Sequence, residues 1–197
     1  WDANPVFQER GRKIAAAIRA LVPLSPGMNA LDYGCGTGLL SFPLKDELGP
    51  PDDRQALDLA LTLDVPFWPQ LPNYSYYEDM YVQAAEHFPG IVLDMDQRTL
   101  RFSLPKFIDE FEETMSRFDD PAYFDISEQY SVVYHDFLSR DLADRPAIRG
   151  QLEGPVSFGF NILDQDDRPI LFDDTIRPFM FEFMAKRINV QISRLKQ

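Results

Sequence analysis

Apolar residues recur every three or four positions in six stretches of this chain, which is the spacing of an amphipathic helix. The pattern predicts helices over residues 5–22, 54–63, 77–87, 104–118, 127–142 and 174–195. Ser127 stands where a serine side chain would cap the fifth of these helices. The last helix is the longest, and its apolar positions from Ile176 to Leu195 form a continuous stripe.

Short apolar runs between these helices predict strands. Residues 28–33 and 147–152 each have the length of a buried strand, and residues 91–94 and 99–102 flank a polar turn as a hairpin does. Residues 65–72 contain three prolines, which allow an extended segment or a loop and exclude a helix or a central strand. Because strands and helices alternate, the predicted fold class is α/β.

Charge divides the chain into two parts. The 197 residues carry a formal net charge of −13. Residues 1–49 hold five basic and five acidic residues, so residues 50–197 account for the whole imbalance. This shift, together with the breaker sequence Gly-Pro-Pro-Asp-Asp at residues 49–53, predicts a domain boundary there. A strongly acidic surface repels phosphate backbones, so nucleic acid is not expected as a partner.

The composition of the chain indicates where in the cell the protein is found and whether it has residues that could bind a metal. Hydrophobic residues make up 45% of the chain, but no apolar run approaches the roughly 18 residues of a membrane helix, and no charged-then-apolar leader opens the sequence. We therefore expect no membrane association and no secretion. Cys35 is the single cysteine, which is typical of a reducing cytoplasm. One cysteine and two histidines leave little material for a soft metal site, so no metal ligands are predicted.

A glycine-rich turn follows the first predicted strand. Asp32 precedes three alternating glycines, Gly34, Gly36 and Gly38. Glycine lets a ligand approach the main chain closely, and the helix after the turn directs free N–H groups at it. The Gly-Lys-Ser/Thr of a phosphate loop is absent. The segment resembles the first motif of class I S-adenosylmethionine-dependent methyltransferases. This resemblance covers residues 1–49 and implies a Rossmann-like strand–glycine loop–helix unit whose four motif residues hold S-adenosylmethionine.

Residues 55–197 carry a longer resemblance. The pieces VPFWPQLP at 65–72 and GQLEGPVSFG at 150–159 are similar to the N-terminal half of cobalamin-independent methionine synthase-like proteins, which belong with the uroporphyrinogen decarboxylase-like barrels. The resemblance implies a partial (β/α) barrel over residues 50–197 with Gln70, Gln151 and Glu153 binding substrate at its mouth. The alternative is that Gln70 and Gln151 only cap backbone groups of loops.

The same resemblance implies a zinc site, but the family's zinc ligands lie in the closing half of the barrel and would follow residue 197. We therefore expect the chain as it stands to be incomplete for catalysis.

Three functions follow from these resemblances. The first is a methionine synthase-like methyl-transfer protein that binds a small-molecule methyl donor or acceptor. The second is a methyltransferase that uses the glycine loop and S-adenosylmethionine. The third is a non-catalytic binding or assembly protein, since a half barrel leaves strand edges that need an oligomer or a partner chain to complete them.

Overall fold

A computed structural model describes residues 5–25, 53–72 and 74–196. The chain divides into two compact units, Trp1–Leu59 and Ala60–Gln197. The predicted boundary at residues 49–53 and the predicted strand and glycine turn that precede it fall almost wholly outside the described residues.

The described part of the first unit consists of helix α1, Pro5–Leu21, and the start of α2, Asp53–Leu61. Both helices agree with the predicted spans. In α1 the small residues Gly11 and Ala15 lie on the buried side, one turn apart. On the exposed side Glu9 forms ion pairs with Arg12 and Lys13, three and four residues further along the helix.

The second unit combines helices with a small sheet. Its elements are α3 (Met80–Ala84), β1 (Ile91–Asp94), β2 (Thr99–Phe102), α4 (Leu104–Ser116), α5 (Tyr134–Leu138), α6 (Pro155–Asn161) and α7 (Ile176–Leu195). The protein thus has a mixed helix and sheet fold, which agrees with the α/β prediction at a coarse level. Within the described residues the only sheet is β1–β2, which is antiparallel and carries none of the parallel strands of a (β/α) barrel.

The hairpin forms where it was predicted. Ile91 pairs with Phe102 and Asp94 with Thr99. The Asp94 carboxylate accepts the backbone N–H of Gln97 at 2.8 Å and so closes the turn. Gly90, before β1, has φ +82°, and a side chain there would meet Phe102, Phe107 and the Ser103 carbonyl within 3 Å. Only glycine fits that position.

Two helices pack the hydrophobic core against this hairpin. Helix α4 begins at Ser103, whose hydroxyl accepts the Lys106 N–H, and buries Phe107 and Thr114. Helix α7 crosses the core with Ile176, Met180, Phe183 and Met184 buried. The centre of the core is aromatic, because Phe183 stacks edge-on with Phe88 and with Phe124 at ring distances of 5.2 and 5.1 Å.

The predicted helix over residues 127–142 is wrong except for α5. Ser127 opens a turn instead of capping a helix, since both Tyr130 and Ser131 donate backbone N–H groups to its carbonyl. The Ser127 N–H donates to Glu86, and the Val132 N–H donates to Glu78 at 2.7 Å. Because buried carboxylates from another part of the chain bind these backbone donors, the helical ladder does not form there.

The predicted helix over residues 77–87 is interrupted. A single 3-10 turn, Tyr76–Glu78, ends at Asp79, whose carboxylate accepts the N–H groups of Tyr81 and Val82 and starts α3. His87 then adopts φ +63°, a left-handed conformation that no helix continues through.

The predicted strand over residues 147–152 is also wrong. No strand forms over these residues, although the Arg149 N–H donates to the Pro66 carbonyl at 3.0 Å. In a parallel ladder the next donor along this segment would be the backbone N–H of Gln151, and its acceptor would be the Trp68 carbonyl. The side-chain amide of Gln151 binds that carbonyl instead.

Candidate functional site

The extended proline segment 65–72 organises the candidate site. Phe67 and Trp68 turn inward and are almost fully buried, and the Trp68 ring lies 4.9 Å from Tyr134 and 5.7 Å from Phe137. These aromatic contacts hold the segment in place although its prolines remove backbone donors. The carbonyl oxygens of the segment stay available as hydrogen-bond acceptors.

Gln151 uses one of these acceptors. Its side-chain amide nitrogen donates to the backbone carbonyl of Trp68. The backbone carbonyl of Gln151 in turn accepts the side-chain amide of Gln191 at 2.6 Å. The Gln151 side chain therefore supplies a hydrogen-bond donor to one carbonyl of the proline segment. Because Trp68 lies two positions before Gln70, this bond attaches Gln151 to the same proline segment that carries Gln70.

Gln70 is held in a similar way. Its amide nitrogen donates to the side-chain oxygen of Gln83 at 2.8 Å, and the Gln83 amide donates to the Tyr130 carbonyl at 2.8 Å. Both glutamines thus use their nitrogen for the scaffold, but only Gln151 caps a backbone group, as the loop-capping alternative requires, because Gln70 donates to a side chain. Within the described residues, however, neither side-chain oxygen accepts a hydrogen bond.

Glu153 follows Gln151 by two residues and is half-buried, just before α6. Among the residues that the structure describes, its carboxylate has no hydrogen bond or ion pair. The three predicted substrate-binding residues therefore offer two amide oxygens and one carboxylate, all of them acceptors. Such a set suits a ligand that carries N–H or O–H donors, and above all a cationic ammonium group.

Comparison with known proteins gives no match for this chain. No family model, curated protein or solved structure matches it.

A buried polar cluster lies behind this site and was not predicted from the sequence. Arg187 of α7 is 2% exposed and donates to the backbone carbonyls of Gln83 and Glu86 at 3.0 and 3.1 Å. Its guanidinium also lies 3.5 Å from the buried carboxylate of Glu86. Burial lowers the pKa of Arg187, against the opposing effect of Glu86. The sequence signal was Arg187 itself, a charge at a buried position of the α7 stripe.

Two tyrosines beside the cluster are held in the neutral form. Burial, followed by the charge of Glu86, raises the pKa of Tyr130 to about 12. Burial and the nearby carboxylate of Asp125 also raise the pKa of Tyr134. Neither phenol ionises at neutral pH, so both act as hydrogen-bonding and packing groups.

The predicted cofactor residues Asp32, Gly34, Gly36 and Gly38 lie outside the described residues. In the described ranges no three His, Cys, Asp or Glu side chains come together as a metal site. The two histidines make different contacts. His135 hydrogen-bonds the Ile126 carbonyl at 2.8 Å, and His87 stacks on Tyr123. The zinc that the resemblance implies therefore has no ligand set within the described residues. None of the helices in the described part has the length and hydropathy of a membrane span.

His87 predicts a pH dependence of stability. Its imidazole lies 3.7 Å from the Glu86 carboxylate, yet burial has the larger effect and lowers the pKa of His87. The unfolded chain therefore takes up this proton at a higher pH than the folded chain does. The contribution of His87 to stability is complete above its ordinary pKa and is lost as the pH falls towards the folded pKa.

We expect His87→Asn, which tolerates the left-handed backbone, to reduce the loss of stability between about pH 7.5 and 5.5. Urea unfolding of both proteins across this range measures the difference, because all other titrating groups are shared. A steeper loss in the variant would contradict the assignment.

Proposed function

We propose that this chain is a methyl-transfer protein of the methionine synthase-like kind, in which Gln70, Gln151 and Glu153 bind a small polar methyl donor or acceptor. One observation carries the proposal: both glutamines are fixed through their amide nitrogens, so two oriented oxygens remain as acceptors near one proline segment. The resemblance of residues 65–72 and 150–159 to that family supplies the chemistry.

In this proposal the three residues bind and orient the ligand. An amino-acid ligand with an ammonium group would donate to the Gln70 and Gln151 oxygens, and the Glu153 carboxylate would balance its charge. Because the scaffold fixes the glutamine nitrogens before the ligand arrives, little side-chain entropy is lost on binding. These roles require no zinc, and the partial (β/α) barrel that the resemblance implies over residues 50–197 belongs to the same proposal. With one cysteine in the chain, we place the protein in a reducing cytoplasm.

The experiment is a calorimetric titration of the full chain with L-methionine and, separately, with a methylfolate. Glu153→Gln removes the carboxylate charge at nearly constant shape, and its matched control is Glu128→Gln, an exposed glutamate that loses the same charge. We expect Glu153→Gln to weaken L-methionine binding by about tenfold or more, the effect of losing a charged hydrogen bond. Absence of binding, or equal weakening by both variants, would refute the proposal.

A second candidate function rests on the glycine motif Asp32, Gly34, Gly36 and Gly38. Here the chain binds S-adenosylmethionine and transfers its methyl group. Gly36→Val places a branched side chain where the cofactor would approach the main chain. Binding of S-adenosylhomocysteine that is lost in this variant would support the second candidate, and unchanged affinity would exclude it.

A further inference from the structure

Helix α7 has a second apolar face that the core does not use. Its buried side contains Ile176, Met180, Phe183 and Met184. A separate row follows the heptad spacing of four and three residues and comprises Phe181, Ala185, Ile188, Ile192 and Leu195. Phe181 is 38% exposed and Ile192 is 43% exposed. This exposed row lies beside the buried side of α7, about a quarter turn around the helix axis, and it is apolar at every position.

A groove extends this face at the C-terminal end of α7. Its volume is about 500 Å³, and residues 142–150 form the wall opposite the helix. Gly150 lets the two sides approach, since a side chain there would come within 3.2 Å of Leu195. Its apolar lining includes Leu142, Ala147, Ile148, Ile192 and Leu195, while Arg145, Gln191 and Lys196 contribute polar groups. It therefore offers an apolar recess next to the exposed row.

We propose that this face binds the same face of a second copy of the chain, with the two α7 helices antiparallel. A two-fold axis makes such a contact self-complementary. In this register Ile188 of each copy meets Ile192 of the other, and the small Ala185 meets Leu195. Phe181 then lies one layer beyond Leu195 of the second copy, at the end of the helix where the groove opens.

Charge at the edge of the row agrees with this arrangement. Glu182 and Lys196 flank the apolar row on the same side, and neither forms an ion pair within the described residues. The antiparallel register brings Glu182 of each copy next to Lys196 of the other, so the symmetric contact contains two attractive pairs. A chain with a net charge of −13 otherwise repels its own copies, which makes this local complementarity significant.

Helix α4 also exposes an apolar row, but its surroundings differ. Leu104, Ile108 and Met115 are exposed there, with Asp109 and Glu112 beside them. Two copies of that row would bring acidic residues together, so α4 does not suit self-association. It provides the control position, because Ile108 is more exposed than Ile192 at 65%.

Sedimentation equilibrium of the full chain between about 5 and 500 µM tests the proposal, since a row about 21 Å long supports a dimer of micromolar affinity or weaker. We expect Ile192→Glu to raise the dissociation constant by about a hundredfold or more. Ile108→Glu should leave it unchanged. A wild-type monomer throughout the range overturns the proposal, and so does a dimer that Ile192→Glu leaves intact or that both variants weaken equally.

A charge exchange tests the antiparallel register without touching the apolar row. Glu182→Lys alone and Lys196→Glu alone each replace two attractive pairs by two repulsive ones, and each should weaken the dimer about tenfold. The double variant restores opposite charges and should recover wild-type affinity. Failure of the double variant to recover overturns the register, and with it the proposed contact.

Discussion

Replacing Arg187 by Met should lower the free energy of unfolding by about 3–5 kcal/mol, the usual cost of removing one partner from a buried ion pair. The guanidinium is almost fully buried and donates to two backbone carbonyls and the Glu86 carboxylate. Methionine fills similar volume but donates nothing. Among the residues that the structure describes, the Ser127 N–H would then be the donor left for the buried Glu86 carboxylate.

Lys186 is the matched control, one position earlier on the same helix. It forms an ion pair with Asp119 at 2.9 Å, but the Asp119 side chain is 99% exposed. Lys186→Met should therefore cost no more than about 1 kcal/mol. Urea unfolding measures both variants. If Arg187→Met cost as little as Lys186→Met, the buried cluster would not hold α7 against residues 83–86.

The coupling between the two charges provides a further check. Because Glu86→Gln and Arg187→Met remove opposite members of one pair, their effects should not add. The double variant should be more stable than the sum of the single losses predicts. Strict additivity would mean that Arg187 contributes through the backbone carbonyls alone.

Phe158→Ala should lower the free energy of unfolding by about 3–5 kcal/mol, as expected for a phenylalanine lost from a packed core. Phe158 is fully buried in α6, and its ring lies 5.6 Å from Phe88. The core cannot close over the cavity easily, because Gly159 already holds the helix close to Met180.

Phe160→Ala tests the same substitution two residues further along the same helix. Phe160 is 55% exposed, so this variant should lose about 1 kcal/mol or less. The change in helix propensity is the same in both variants, so the difference between them measures burial. Thermal or urea unfolding gives that difference. Equal losses would contradict the assignment of Phe158 to the core and Phe160 to the surface.

Local patterns were sufficient where one segment determines its own structure. The hairpin of β1 and β2, the helices α1, α4 and α7, and the extended proline segment all occur where spacing and proline content predicted them. Each depends on contacts that are close in sequence or on a single apolar face. The α7 stripe was nonetheless treated as one face, whereas the structure divides it, with Met180 buried and Ile192 43% exposed.

Predictions failed where a distant segment competes for backbone groups. Glu78 and Glu86 bind the N–H groups of Val132 and Ser127, which the predicted helix over residues 127–142 would have used differently. The Trp68 carbonyl likewise binds the Gln151 side chain, where a strand over residues 147–152 would have used a backbone N–H. No local sequence pattern reveals these hydrogen-bond partners, because each lies more than 40 residues away along the chain.

The candidate site shows the same division. Sequence resemblance selected Gln70, Gln151 and Glu153, and the structure fixes Gln70 through Gln83 and Gln151 through the Trp68 carbonyl, in two separate hydrogen bonds. The buried cluster of Arg187, Glu86 and Gln83 behind them was missed. A buried charge is understood only when its partner is known, and here the partner is on another element.

The most direct test of the proposed function is a thermal melt of the full chain with excess L-methionine and, in parallel, with excess S-adenosylhomocysteine. A ligand that binds only the folded state raises stability by roughly 2.7 kcal/mol at a hundredfold excess over its dissociation constant, a shift of several degrees. We predict an upward shift with L-methionine that Glu153→Gln reduces and Glu128→Gln does not. A melting temperature that rises only with S-adenosylhomocysteine would contradict the proposed function and assign the binding function to the glycine motif.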